Sequence, residues 1–245
     1  MRFTKSAVAA VAALALVPAT ALAATIIGGP GNERLIGTNG ADHIDGKGGN
    51  DRIFGRGGND TLIGFAGNDV VRGGLGDDDI RGDWNLVGDR TSFDRLFGGQ
   101  GNDTLRGGDS RDWMFGGDGN DTSFGESGRD IMRGGAGDDV QNGNGGHDVI
   151  WVGLGVDVAN GGDGNDVLRA GARGDVRPGN DQVGDTLDGG NGNDRFRTRD
   201  GEVDRITCGP GFDRAFLDGR DVISDSSATS PNGSCERVVR RPATP

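Results

Sequence analysis

The chain has 245 residues, of which 51 are Gly and none Tyr, and 32% are hydrophobic, which is too little side-chain volume for an ordinary compact core of that length. Asp and Glu number 38 against 26 Lys and Arg, a net charge of -12, and a chain so charged and so poor in apolar residues does not collapse unaided. The balance argues against nucleic-acid and anionic-lipid partners, and it calls for something cationic in the folded state.

At the N-terminus, Arg2 and Lys5 form a short basic start, Ala7 to Val17 is an apolar run, and Ala21-Leu22-Ala23 supplies a small-x-small cleavage pattern. Residues 1–23 are therefore expected to be an export signal peptide, with Ala24 opening the mature chain. The run is shorter than the ~20 residues that span a bilayer, and no later segment approaches that length, so no membrane span is expected. Export would place Cys208 and Cys235, the only two cysteines, in an oxidising compartment, where a disulfide between them is expected.

From Gly28 onward a nine-residue period runs through the chain. Gly46 to Phe54 reads GKGGNDRIF, Gly55 to Ile63 reads GRGGNDTLI, and Gly64 to Arg72 reads GFAGNDVVR. The consensus is Gly, x, x, Gly, Asn or Asp, Asp, x, apolar, x. Six units precede an interruption at Gly82 to Gly88 that contains Trp84; ten more run from Asp89 to Pro178, and two follow Gly179, ending at Arg197. Position 6 is acidic in all of them, and position 8 is a sizeable apolar residue except at Ser123, Gln141, Ala159 and Arg177.

Each position has a physical role. Glycines permit the positive φ of tight loops and let carbonyl oxygens converge, while x-apolar-x suits a very short strand with one inward and two outward side chains. Parallel stacking of such units would build a core from position 8 and bring position-6 carboxylates to within ~4.8 Å of each other along two edges. Left alone they would repel. A hard divalent cation reverses the sign, and calcium, which accepts six to eight oxygen ligands at flexible angles, suits Asp oxygens mixed with glycine carbonyls. Zinc would need His or Cys, and His43 and His147 lie in different repeats.

In-phase recurrence of these units resembles the RTX, or hemolysin-type, calcium-binding nonapeptide, GGxGxDxUx, over Gly28 to Arg197. The resemblance implies an all-β, right-handed parallel β-roll with two nonapeptides per turn and multiple calcium ions between loops eighteen residues apart. Carried onto this sequence, the carboxylate ligands would be Asp42, Asp51, Asp60, Asp69, Asp78, Asp103, Asp112, Asp121, Asp130, Asp139, Asp148, Asp166 and Asp194. The accompanying carbonyls would be those of Gly49, Gly58, Gly67, Gly76, Gly101, Gly119, Gly137, Gly146 and Gly164. Ser92, Ser110, Arg173 and Val183 replace the position-4 Gly, Glu33 replaces the first Asp, and units 152–160 and 170–178 read as degenerate.

The expected organisation is a signal peptide over 1–23, the repeat roll over 24–197, and a degenerate repeat with a disulfide-stapled cap over 198–245. The segment from Cys208 to Val238 resembles the closing segment of exported actinobacterial calcium-repeat proteins, and a cap would cover the unpaired end of an open roll. No HExxH, GxSxG, P-loop or GxGxxG pattern occurs, so no catalysis is expected. The function expected is that of an extracellular calcium binder that folds on calcium uptake. Alternatives are a secretion module of an RTX toxin or exoenzyme, and a structural or adhesive matrix protein.

Overall fold

A computed structural model describes residues 22–83, 92–171, 184–224 and 234–241. The expected signal peptide up to Ala21, as well as Trp84, Asp175 and Gly179, lies outside the described residues.

Each x-apolar-x triplet forms a strand, such as Thr61–Ile63, and in many units the strand continues through the next glycines, as in Arg52–Gly57. Successive strands alternate between two parallel sheets. Among the described residues, the first runs along eleven strands from Thr25–Ile27 to Val222–Ile223, and the second along eleven from Arg34–Ile36 to Arg237–Arg240. The fold is an all-β parallel solenoid, and no helix is present among the described residues, hence none long and apolar enough to cross a membrane.

The register shows how the repeat becomes a turn. His43 pairs with Thr61, and Trp113 pairs with Ile131, a step of eighteen residues or two nonapeptides. At the first interruption Val70 pairs with Arg95 and Asp79 with Thr104, a step of twenty-five residues, so both sheets continue across it. A second step is longer: Val158 pairs with Thr186 and Val167 with Arg195. Each of these steps is twenty-eight residues, ten more than two nonapeptides and as many as the expected unit 170–178 and Gly179 together. After Arg197 the strands Arg205–Thr207 and Arg214–Leu217 take steps of nineteen, which is why the period drifts in sequence although the sheets continue.

Position 8 fills the core. Ile44, Leu62, Ile80 and Leu105 stack beneath the first sheet, and Ile53, Val71, Leu96 and Ile150 beneath the second, all fully buried. Ser123, Gln141 and Ala159 interrupt the first column consecutively. The column opposite carries Met114 and Met132 there, long unbranched side chains suited to irregular volume. Gln141 is buried with its amide oriented so that Oε1 accepts from the Gly134 N–H and Nε2 donates to the Trp151 carbonyl. Near the C-terminus Cys208 and Cys235 form a buried disulfide across 27 residues of chain.

Candidate metal centre

Positions 1 to 5 turn, and position 6 immediately precedes the strand, so its side chain lies beneath the loop rather than beyond it. There the position-6 residues form two continuous ladders. In the first, the Asp42 N–H donates to Oδ1 of Asp60, and the relation repeats through Asp78, Asp103, Asp121, Asp139, Asp157, Asp185 and Asp204 to Asp221. In the second, Glu33 donates to Asp51, followed by Asp69, Asp94, Asp112, Asp130, Asp148, Asp166, Asp194 and Asp213, and ending at Glu236. Most of these bonds measure 2.7–2.8 Å, and every residue expected to pair across eighteen positions, Asp103 with Asp121 for example, is brought together.

One oxygen of each carboxylate is thereby used. In Asp51, Asp60, Asp78, Asp103, Asp112, Asp121, Asp130, Asp139, Asp148, Asp166 and Asp194 the other, Oδ2, is buried without a hydrogen-bond partner, as it is in Asp94, Asp204 and Asp213. That oxygen faces the glycine at position 1 of its own loop. A Cβ on Gly125 would stand 2.5 Å from Oδ2 of Asp130 and 2.6 Å from the carbonyl oxygen of Gly143, and one on Gly161 would meet Asp166 and the Gly189 carbonyl at 2.5 Å each. Position 1 is thus glycine for closeness of approach, because these glycines do not adopt positive φ. Their carbonyls, absent from the expected ligand set, stand beside the unpaired carboxylate oxygens.

From the third unit on, position-4 glycines adopt positive φ, from +96° at Gly58 to +147° at Gly128, and include Gly49, Gly67, Gly76, Gly101, Gly119, Gly137, Gly146 and Gly164. Their carbonyls line up along the roll: a Cβ on Gly67 would collide with the oxygen of Gly49, and one on Gly119 with that of Gly101. Position 5 forms a further ladder of opposite sense, in which the Asn68 N–H donates to Oδ1 of Asn50 and Asn120 to Asn102. His147 belongs to it: exposed on its loop, it accepts at Nδ1 from the Asn165 N–H at 2.7 Å and so bridges one loop to the next.

Burial raises the pKa values of the ladder residues: Asp60 and Asp103 to about 6, Asp112, Asp121, Asp148 and Asp194 to about 7, Asp130 and Asp139 to about 8. Desolvation is the largest cause throughout, and neighbouring carboxylates add to it in most. At the ends protein donors take over. Oδ2 of Asp42 accepts from the Thr38 N–H at 2.5 Å, and Oδ2 of Asp221 accepts from the Thr198 hydroxyl and the Asp218 N–H at 2.7 and 2.8 Å. Hydrogen-bond donors satisfy the terminal carboxylates, whereas Oδ2 of interior residues such as Asp60, Asp103, Asp121 and Asp148 has no protein donor. An all-oxygen donor set of carboxylates and main-chain carbonyls fits calcium.

Among the described residues one group of three carboxylates converges: Asp185, Glu202 and Asp204 offer ligand atoms within 4.8 Å of one another. None was in the expected set, nor were Asp94, Asp157 and Asp213, all of which take ladder positions. A shift of one residue hides Asp204 and Asp213 from the nine-residue period, and the signal that would have found them is the triplet behind each, Arg205-Ile206-Thr207 and Arg214-Ala215-Phe216.

Loop carboxylates and carbonyls stacked along both edges of a parallel solenoid define a calcium-binding β-roll. The chain belongs to the RTX calcium-binding nonapeptide repeat family, whose model matches residues 27–62, 54–84, 91–123, 115–150, 124–159, 142–176 and 184–202. No curated protein matches the sequence significantly. Calcium, at several sites, is the cofactor of these repeats.

Proposed function

We propose that this is an extracellular calcium-binding protein, without catalytic activity of its own, whose repeat roll folds as calcium binds. The observation that carries the reading is the unpaired, buried Oδ2 repeated along both ladders. Carboxylates so placed resist ionisation, and a roll that holds them at neutral pH without a counter-charge is poorly stable.

The Asp residues expected from the sequence, from Asp51 to Asp194, would hold the ions through Oδ2, with carbonyls of the position-4 and position-1 glycines completing the sets. Bound calcium supplies positive charge and six to eight coordination positions for oxygen. The chain supplies the rest. The N–H to Oδ1 ladder orients each carboxylate, positive-φ glycines turn their carbonyls along the roll, and the position-8 columns exclude water from beneath the loops. Binding free energy at such sites becomes folding free energy, because the unfolded chain does not preform them. An export signal over 1–23, a roll over 24–197 and a stapled cap over 198–245 complete the reading.

Circular dichroism of the mature chain during calcium titration tests it. A shift from a disordered to a β-rich spectrum that EGTA reverses is expected; an ordered spectrum indifferent to EGTA would end it.

A further inference from the structure

The chain is acidic as a whole, but its charge is segregated by the roll. In the second sheet the residues at positions 7 and 9 point outward. Ten of them, from Arg34 to Arg237, are arginine; Phe54, Phe97, Trp113, Phe115, Trp151 and Phe216 are aromatic; the rest are Ile or Val, and none is acidic. None of these side chains is buried. The first sheet differs: its outward face mixes Thr, Asp and Arg, and carries ion pairs of Lys47 with Asp45 and of Arg81 and Arg106 with Asp79.

Aromatic rings hold the guanidinium groups in place. Arg34 and Arg72 lie over the ring of Phe54 at 4.9 and 5.9 Å, and Arg133 and Arg169 each lie 4.9 Å from the centre of Trp151. Arg95 lies 5.2 Å from Trp113. In the middle of the face a groove of about 380 Å³ opens between Arg95, Phe97, Trp113, Phe115, Arg133 and Trp151. An Arg held by its flat side to a ring keeps its N–H edge for a planar oxyanion, which it grips with two parallel bonds.

We propose that this face binds an extended acidic polysaccharide bearing uronate groups. A row of preordered guanidinium groups along successive parallel strands matches regularly spaced carboxylates on a linear chain. Single-stranded nucleic acid fits less well, since it stacks its bases on ring faces and each of these rings already has an arginine over it. It also carries denser charge, which the acidic body of the molecule repels more strongly.

Hyaluronate oligosaccharides, titrated into the calcium-loaded full chain by calorimetry, provide the test. Salt-sensitive binding is expected, weakened about tenfold in the Arg95→Gln/Arg133→Gln variant and by less in Arg133→Lys, which keeps charge but loses the fork. An Arg106→Gln variant on the other sheet should bind as the parent does. Circular dichroism in calcium keeps loss of folding apart from loss of the face. The assignment is overturned by no binding, by equal losses in the Arg106→Gln variant, by tighter binding of a single-stranded oligonucleotide, or by self-association of the parent that the double variant abolishes.

Discussion

A single carboxylate carries the chemistry of each loop, and its two oxygens do different work. Replacing Asp121 by Asn keeps an Oδ1 that accepts from the Asp103 N–H and removes the charge at Oδ2. The calcium-free form should gain about 1–3 kcal/mol, the cost of a buried group left unpaired, and the calcium needed for half-folding should rise. Titration of the variant beside the parent reads both; a variant that needs no more calcium would show that Oδ2 of Asp121 is not a ligand. The same carboxylates set a pH dependence. Their folded pKa values are raised from the ordinary 3.8 to about 6 to 8, so from 3.8 up to those values the folded chain holds protons the unfolded chain has lost. Stability without calcium is therefore fully present at acid pH and falls as pH rises through that window. In EGTA the melting temperature should drop between pH 5 and pH 8, about the span of those values, while with calcium present the affinity should rise over the same interval because protons compete for the same oxygens.

At the scale of one strand and its loop, the glycine at position 1 and the apolar residue at position 8 set the spacing between turn and core. Gly125→Ala places a methyl group between the Asp130 carboxylate and the Gly143 carbonyl, with no backbone strain to confuse the result. It should destabilise the calcium-bound form by about 1–3 kcal/mol, as overpacking does, measured by thermal denaturation in excess calcium. Strand, loop and core positions were legible because a repeat states them many times: Leu62, Leu105 and Ile150 stand at position 8 and lie in the core. What escaped was set by contact between turns rather than within one. The position-5 ladder reads in sequence only as a taste for Asn, and His147 breaks even that composition while making the same bond. Asp185, Glu202 and Asp204 converge only because the register passes over ten residues on one side and gains one on the other. The charge segregation stayed hidden for a similar reason, since positions 7 and 9 alternate between the two sheets from unit to unit and average out along the chain.

Over the whole molecule each turn touches only its neighbours, so stability is local and the ends decide where unfolding starts. The two ends are built differently. At the N-terminal end Thr38 caps the Asp42 carboxylate through main-chain and hydroxyl bonds. At the other, Asp221 is capped by Thr198 and the Asp218 N–H, and the disulfide joins Cys208 to the residue two places before the last strand, Arg237–Arg240. Closing a loop of 27 residues contributes about 3.5 kcal/mol on the chain-entropy account. In a quasi-one-dimensional fold that contribution acts on the turns next to the staple and fades with distance. Replacing both cysteines by Ser should therefore lower hydrogen-exchange protection over Arg205–Thr207, Arg214–Leu217 and Arg237–Arg240 in calcium, and leave His43–Asp45 and Thr61–Ile63 as protected as before. Equal loss along the whole roll would mean that calcium couples every turn to every other and that the solenoid unfolds as one cooperative unit.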